Sequence, residues 1–319
     1  MMTSTVQSLQ NVLLAFDGSE HAWAAVSLLR DLLPHAGTLS PARVTIMGVL
    51  PPRNASEHAT LQDALERAQR SFEEGGLRAE ATLHVGQPAE TLVEYADRYS
   101  PDLIAIGAKG RRAALSILMG GVAQQVLEYA QCPVLVIRSP YAGLRRVLLV
   151  TDGSPYSQRA VSYLARFPLP PSAELHVAHV LPPLYLPEMT MPSWPLGADI
   201  VAPLPTRESA ELLAHRTEDE ERQGEVLITR TFEEMMSIWQ QIQSPRLTAA
   251  PPLRVLLRGD AAAEIIEYAK TQQVDLIVGG SRGLGTIKGW LLGSVSRKLA
   301  HYAPCSVMIV RGGSHEANR

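Results

Sequence analysis

At 319 residues the chain is about twice the size of a typical single domain, so two domains are expected, each long enough to bury its own core. A formal net charge of −3 gives no general attraction to nucleic acid or to an anionic membrane surface, and no apolar run approaches the ~20 residues that span a bilayer. The opening Met-Met-Thr-Ser-Thr-Val-Gln lacks the basic start and apolar core of a secretion signal, and Cys132 and Cys305 do not make a disulfide framework. The expected compartment is therefore a reducing cytoplasm, with both thiols as small buried hydrophobes.

Strand-like apolar runs fall near 11–16, 43–49, 78–85, 102–106 and 133–137, with helical patterns between them near 20–33, 57–74, 88–99 and 121–130. Short, continuous runs such as Leu103-Ile-Ala-Ile106 suit parallel strands covered on both faces, so the alternation predicts a doubly wound, Rossmann-like α/β sheet. After a linker at Ser139–Leu144 the pattern begins again. Val12-Leu-Leu-Ala-Phe16-Asp17-Gly18-Ser19 returns as Val147-Leu-Leu-Val-Thr151-Asp152-Gly153-Ser154, and Glu94-Tyr-Ala96 returns as Glu267-Tyr-Ala269. Cys132-Pro-Val-Leu-Val-Ile-Arg138 returns as Cys305-Ser-Val-Met-Ile-Val-Arg311. The expected domains are thus 1–140 and 141–319, each a five-stranded parallel sheet.

Asp17 and Asp152 are 135 residues apart while Gly107 and Gly280 are 173 apart, so the second half carries 38 more residues between those points. The excess lies within about 182–250. Pro182 to Pro205 holds seven prolines, which forbid regular structure, and reads as an ordered lid or contact surface. Thr206–Arg222 and Phe232–Ile242 read as two helices, with the acidic run Glu218-Asp-Glu-Glu221 as the wetted face of the first.

Gly280-Ser281-Arg282-Gly283, nine residues and then Gly293-Ser294 follow the apolar run Val274–Val278. Glycines leaving a buried strand allow a tight turn and the close approach of an anion, and a helix starting at Ser294 offers free N–H groups to phosphate. The hydroxyls of Ser294, Ser281 and Ser296 are further donors. In a sheet of order 3-2-1-4-5, the first and fourth strands flank the crevice where ligands bind. Asp152 leaves the first and the glycine loop leaves the fourth, so a nucleotide fits between them, its nucleoside end toward Asp152. Taken singly, these features are also ordinary helix caps and turns; their joint repetition in register is what points to a site. The first half keeps Gly107, Gly110 and Gly120 but has Gly121, Ala108 and Ala123 at the positions of Ser294, Ser281 and Ser296.

In these motifs the chain resembles the universal stress protein family in its tandem-domain form. The resemblance implies ATP binding through Gly-x-x-Gly, nine residues, Gly and Ser or Thr, which Gly280, Gly283, Gly293 and Ser294 satisfy, with Asp152 on the nucleoside side and Val180 against adenine. The ligand set is then Asp152, Val180, Gly280, Ser281, Arg282, Gly283, Gly293, Ser294, Val295 and Ser296. In the first domain it is Asp17, Val49, Gly107, Gly110, Gly120 and Gly121, where weak or no ATP binding is expected. The resemblance also suggests that Val134–Ile137 and Val307–Val310 pair, making the two domains an intramolecular pair. A further homodimer is left open.

No catalytic residue and no metal ligands stand out: His176 and His179, three apart on a strand, face opposite sides, and no hydrolase elbow or zinc motif is present. The leading expectation is a nucleotide-binding stress-response regulator with an unknown protein partner. A slow ATPase, and an interaction scaffold with vestigial sites, are the alternatives. ATP, with or without Mg2+, is the expected cofactor; ADP, AMP or a cyclic nucleotide would also suit the motifs.

Overall fold

A computed structural model describes residues 9–36, 42–52, 57–110, 118–184, 207–242, 250–283 and 292–311. The first half supplies strands β1 (Asn11–Ala15), β2 (Arg43–Leu50), β3 (Arg78–Val85), β4 (Leu103–Gly107) and β5 (Val134–Ile137). The second supplies β6 (Arg146–Val150), β7 (Glu174–Leu181), β8 (Leu253–Arg258), β9 (Leu276–Gly280) and β10 (Ser306–Val310). They form one ten-stranded sheet in the order β3-β2-β1-β4-β5-β10-β9-β6-β7-β8, so each half has the expected 3-2-1-4-5 order. Every pairing is parallel except the central one, where β10 runs antiparallel to β5 with Met308 opposite Leu135. All side chains of β5 and β10 are buried. Pairing these two strands removes two apolar edges that would otherwise template aggregation.

Side chains alternate across the sheet and build a core on each face. On one face Val12, Leu14, Val147 and Leu149 meet helices α1 (Glu20–Leu32), α2 (His58–Glu74), α5 (Pro155–Arg166) and α6 (Arg207–Gln241). On the other, Leu13, Ile104, Leu148 and Ile277 meet α3 (Pro88–Tyr99), α4 (Gly121–Tyr129), α7 (Ala261–Thr271) and α8 (Ser294–Tyr302).

The two helices expected over 206–222 and 232–242 are one continuous helix of 35 residues, α6. The intervening stretch holds Gly224 and the β-branched Ile228, Thr229 and Thr231, a poor helix by propensity. Packing overrides that preference. Ile228, Thr231, Met235 and Trp239 are all buried and spaced three or four apart, forming one stripe against the sheet and α5. The Thr231 hydroxyl donates back to the Leu227 carbonyl at 2.9 Å, and the Trp239 indole N–H donates to Ala165 O at 3.0 Å. A Cβ at Gly224 would stand 2.7 Å from Leu256 Cδ1, so the missing side chain lets α6 lie close on β7 and β8. Part of the acidic run is paired: Glu220 Oε2 lies 2.7 Å from Arg258 Nη1 at the end of β8. Most of the proline-rich segment read as a lid lies outside the described residues.

Replacing Trp239 by Ala should lower unfolding free energy by about 3–5 kcal/mol. Urea denaturation checks this; a loss below about 1 kcal/mol would show that the α5–α6 contact does not hold the extended helix.

Candidate functional site

The site is built where β6 and β9 end. The Thr151 N–H continues the pairing with β7 by donating to Ala178 O at 2.9 Å, after which the chain turns through Asp152 and Gly153 into α5. Gly153 has φ +76, a left-handed conformation that glycine adopts without strain. Asp152 Oδ1 accepts the Ser154 N–H at 3.0 Å, and Ser154 Oγ accepts the Ser157 N–H at 3.2 Å. The first half repeats this turn: Gly18 has φ +76, Asp17 Oδ1 accepts the Ser19 N–H at 3.0 Å, and Ser19 Oγ accepts the Ala22 N–H at 3.2 Å. One oxygen of each aspartate thus shapes its own turn, and the other faces the glycine loop.

The glycine loop folds back on β9. The Ser281 N–H donates to Val310 O at 3.0 Å, the Gly293 N–H donates to Ser281 O at 2.8 Å, and Ser296 Oγ donates to Gly280 O at 2.7 Å. Gly293 is the N-cap of α8 and, having no side chain, supplies no cap to its first turn. The leading N–H groups of a helix have no intrahelical acceptor, so the positive end of α8 is presented to the crevice. Ser294, Val295 and Ser296 occupy that turn. Arg282 lies with its guanidinium 5.5 Å from the Tyr156 ring centroid and Nη1 3.3 Å from the Tyr156 hydroxyl.

Between these parts lies a cavity of about 550 Å3, within the 300–1,000 Å3 range of small-molecule pockets. Its wall brings together Asp152, Val180, Gly280, Arg282, Gly283, Gly293, Ser294, Val295 and Ser296, nine of the ten residues picked from the sequence. Ser281 does not line it; this side chain is buried. The Ser296 hydroxyl is turned onto the Gly280 carbonyl, while Ser294 lines the cavity in the first turn of α8. Thr151, Ser157 and His179 also line the cavity and were not picked. His179 Nδ1 lies 2.9 Å from the Thr151 carbonyl, which can only accept, so Nδ1 is the donor of that bond. Its position next to Val180 at the carboxyl end of β7 was the available signal.

The glycines prove necessary for a reason other than anion approach. A Cβ on Gly280 would stand 2.6 Å from the Tyr156 backbone, and one on Gly283 would stand 2.5 Å from Asp152 Oδ2. Gly107 and Gly110 repeat this against His21 and Asp17 Oδ2, both at 2.8 Å. Each loop is thus clamped between its aspartate and the start of the first helix of its half. The first-half cavity, about 420 Å3, is lined by all six expected residues, Asp17, Val49, Gly107, Gly110, Gly120 and Gly121, with Phe16, Met47 and Met119 adding an apolar wall. Gly120 N–H donates to Ala108 O at 2.8 Å, the same closure as in the second half. A Cβ on Gly121 would meet nothing within 4 Å among the described residues.

Among the described residues no group of His, Cys, Asp or Glu is arranged to hold a metal, and no helix is long and apolar enough to cross a membrane. Burial pushes the Cys132 and Cys305 thiols up to about 12, which leaves both unreactive at neutral pH.

The sequence model of the Universal stress protein family matches residues 8–138 and again 143–311. The chain belongs to the universal stress protein family. A universal stress protein of Mycolicibacterium smegmatis is 27% identical over 322 aligned positions, covering 94% of this chain and 96% of that one. A universal stress protein of Archaeoglobus fulgidus, known from its crystal structure, superposes with a TM-score of 0.62 and covers 97% of this chain and 98% of its own; at 18% identity that likeness is one of fold. A universal stress protein crystallised with cAMP covers 41% of this chain and 98% of its own at 27% identity and a TM-score of 0.33.

Within this tandem universal stress protein, Gly280→Ala should destabilise the fold by about 1–3 kcal/mol through the backbone clash. Gly121→Ala, at an open helix start, should be neutral or stabilising by up to about 1 kcal/mol. Parallel urea melts of the two variants check the contrast; equal effects would contradict it.

Proposed function

We propose that the chain is a nucleotide-binding stress regulator whose two universal stress protein domains, 1–140 and 141–319, differ in occupancy. The second holds an adenine nucleotide, ATP in the first instance, and the first holds it weakly or not at all. The observation that carries this reading is the uncapped N-terminus of α8, with Ser294 in its first turn, facing Asp152 and Val180 across one cavity. A phosphate chain at that helix end gains N–H donors and the positive end of the dipole. The nucleoside end then lies toward Asp152, Val180 and His179, and Arg282 supplies charge beside the phosphates. In the first domain the loop closes with the same hydrogen bond at Gly120, but Gly121 stands in place of Ser294 and the walls are more apolar.

Calorimetric titration with ATP should give about one tight site per chain. Ser294→Ala should weaken it about 10–100-fold, the effect of losing one hydrogen bond to a charged group. Two equally tight sites, or an unchanged affinity in the variant, would overturn the assignment. Gly121→Ser, for which the structure leaves space, should strengthen ATP binding at the first cavity; a titration that stays at one site per chain with no measurable second event would count against Ser294 as the distinguishing donor.

A further inference from the structure

Arg138 and Arg311 close the two halves and occupy equivalent places, each just after its last strand. The carbonyl immediately before each one receives the first N–H of its own glycine loop: Ala108 N–H donates to Ile137 O at 2.7 Å, and Ser281 N–H donates to Val310 O at 3.0 Å. Their guanidinium groups cross to the opposite half. Arg138 Nη2 donates to Ala300 O at 2.9 Å and His301 O at 3.0 Å, in the last turn of α8, while Nη1 donates at 2.7 Å to Leu118 O, two residues before Gly120. Arg311 Nη2 donates to Leu127 O and, at 2.8 Å, to Glu128 O in the last turn of α4. These carbonyls are the ones a helix leaves without an internal partner, at the negative end of its dipole. α4 and α8 are the helices whose opposite ends face the two cavities.

We infer that Arg138 and Arg311 couple the two cavities, each tying the glycine loop of its own half to the far end of the other half's loop helix. The inference rests on the reading that the second cavity holds nucleotide. Ligand drawn onto Ser294 at the start of α8 bears on Ala300 and His301 at its end, then through the Arg138 guanidinium on Leu118 and the approach to Gly120. The helix has nine residues, Ser294–Tyr302, so its two ends are little more than two turns apart. The return path runs from Gly121 through α4 to Arg311 and so to Ser281. Both arginines are held in places that burial makes unfavourable for their charge, and the Nε of each is buried with no hydrogen-bond partner among the described residues. Planar forks that bridge several carbonyls at once are not replaced by a lysine, which keeps the charge but loses the geometry.

Amide hydrogen exchange on the full chain tests this. In ligand-free protein, Arg138→Lys should speed exchange about tenfold at 118–121 and at 300–303, one segment in each half. The second arm uses a Gly121→Glu background, in which a carboxylate at the start of α4 repels phosphate from the first cavity. There, ATP bound by the second half should slow exchange at 118–121 about threefold or more, and this slowing should vanish in Arg138→Lys while ATP affinity is retained. No slowing at 118–121 under saturating ATP, or slowing that survives Arg138→Lys, overturns the coupling. Absence of any heat on ATP titration overturns the nucleotide reading instead. The ligand-free comparison then still decides the link, since unchanged exchange at either segment refutes it. Should Arg138→Lys fail to fold, Arg311→Lys gives the mirrored test at 127–129 and 281–283 with the same two outcomes.

Discussion

The antiparallel contact of β5 with β10 is the constraint on which the rest of the molecule depends. It turns two five-stranded sheets into one of ten strands and buries the apolar strands that each half would otherwise expose at an edge. Because the strands run in opposite directions, α4 and α8 face each other in reverse, with the end of one near the start of the other. That arrangement brings Arg138 to the last turn of α8 and Arg311 to the last turn of α4, and it allows Arg297 to reach Glu128 across the junction at 3.3 Å.

Within each half, the geometry of the site follows from a close fit between two turns. The aspartate turn after the first strand is set by one carboxylate oxygen, and the glycine loop after the fourth strand is pressed against the other. The contact leaves no space for a Cβ at Gly280 or Gly283, nor at Gly107 or Gly110. Both halves meet this steric demand, so both keep the cavity. The chemistry that distinguishes them sits on the next turn, where Ser294 opens α8 and Gly121 opens α4. Shape is therefore shared between the halves, and donor chemistry is not.

Much of this was legible in the sequence because it is repeated there. The strands and the register of the two halves follow from periodicity, and the glycines, Asp152 and Ser294 that line the second-half cavity from the doubled motifs, whereas Val180 came only through the family resemblance. What was hidden depends on partners distant along the chain. Ser281 and Ser296 read as ligand donors, but one is buried and the other is satisfied by the Gly280 carbonyl, a group that carries no mark in a sequence. The glycines read as room for an anion, whereas their neighbours are Tyr156, His21 and two aspartates. α6 read as two helices since Gly224 and the β-branched residues after it argue locally for a break, and only the buried stripe from Ile228 to Trp239 reverses that. Arg138 and Arg311 were visible as the last residue of a repeated motif, yet their acceptors lie in the opposite half.

Photolabelling with 8-azido-ATP, followed by mapping of the labelled peptides, tests most directly that the second-half cavity is the nucleotide site. Label is expected at a limiting value of one per chain, within 174–184 around His179 and Val180, and displaced by ATP. Label shared equally between that segment and 43–52 around Val49, or label that ATP does not displace, would contradict the account.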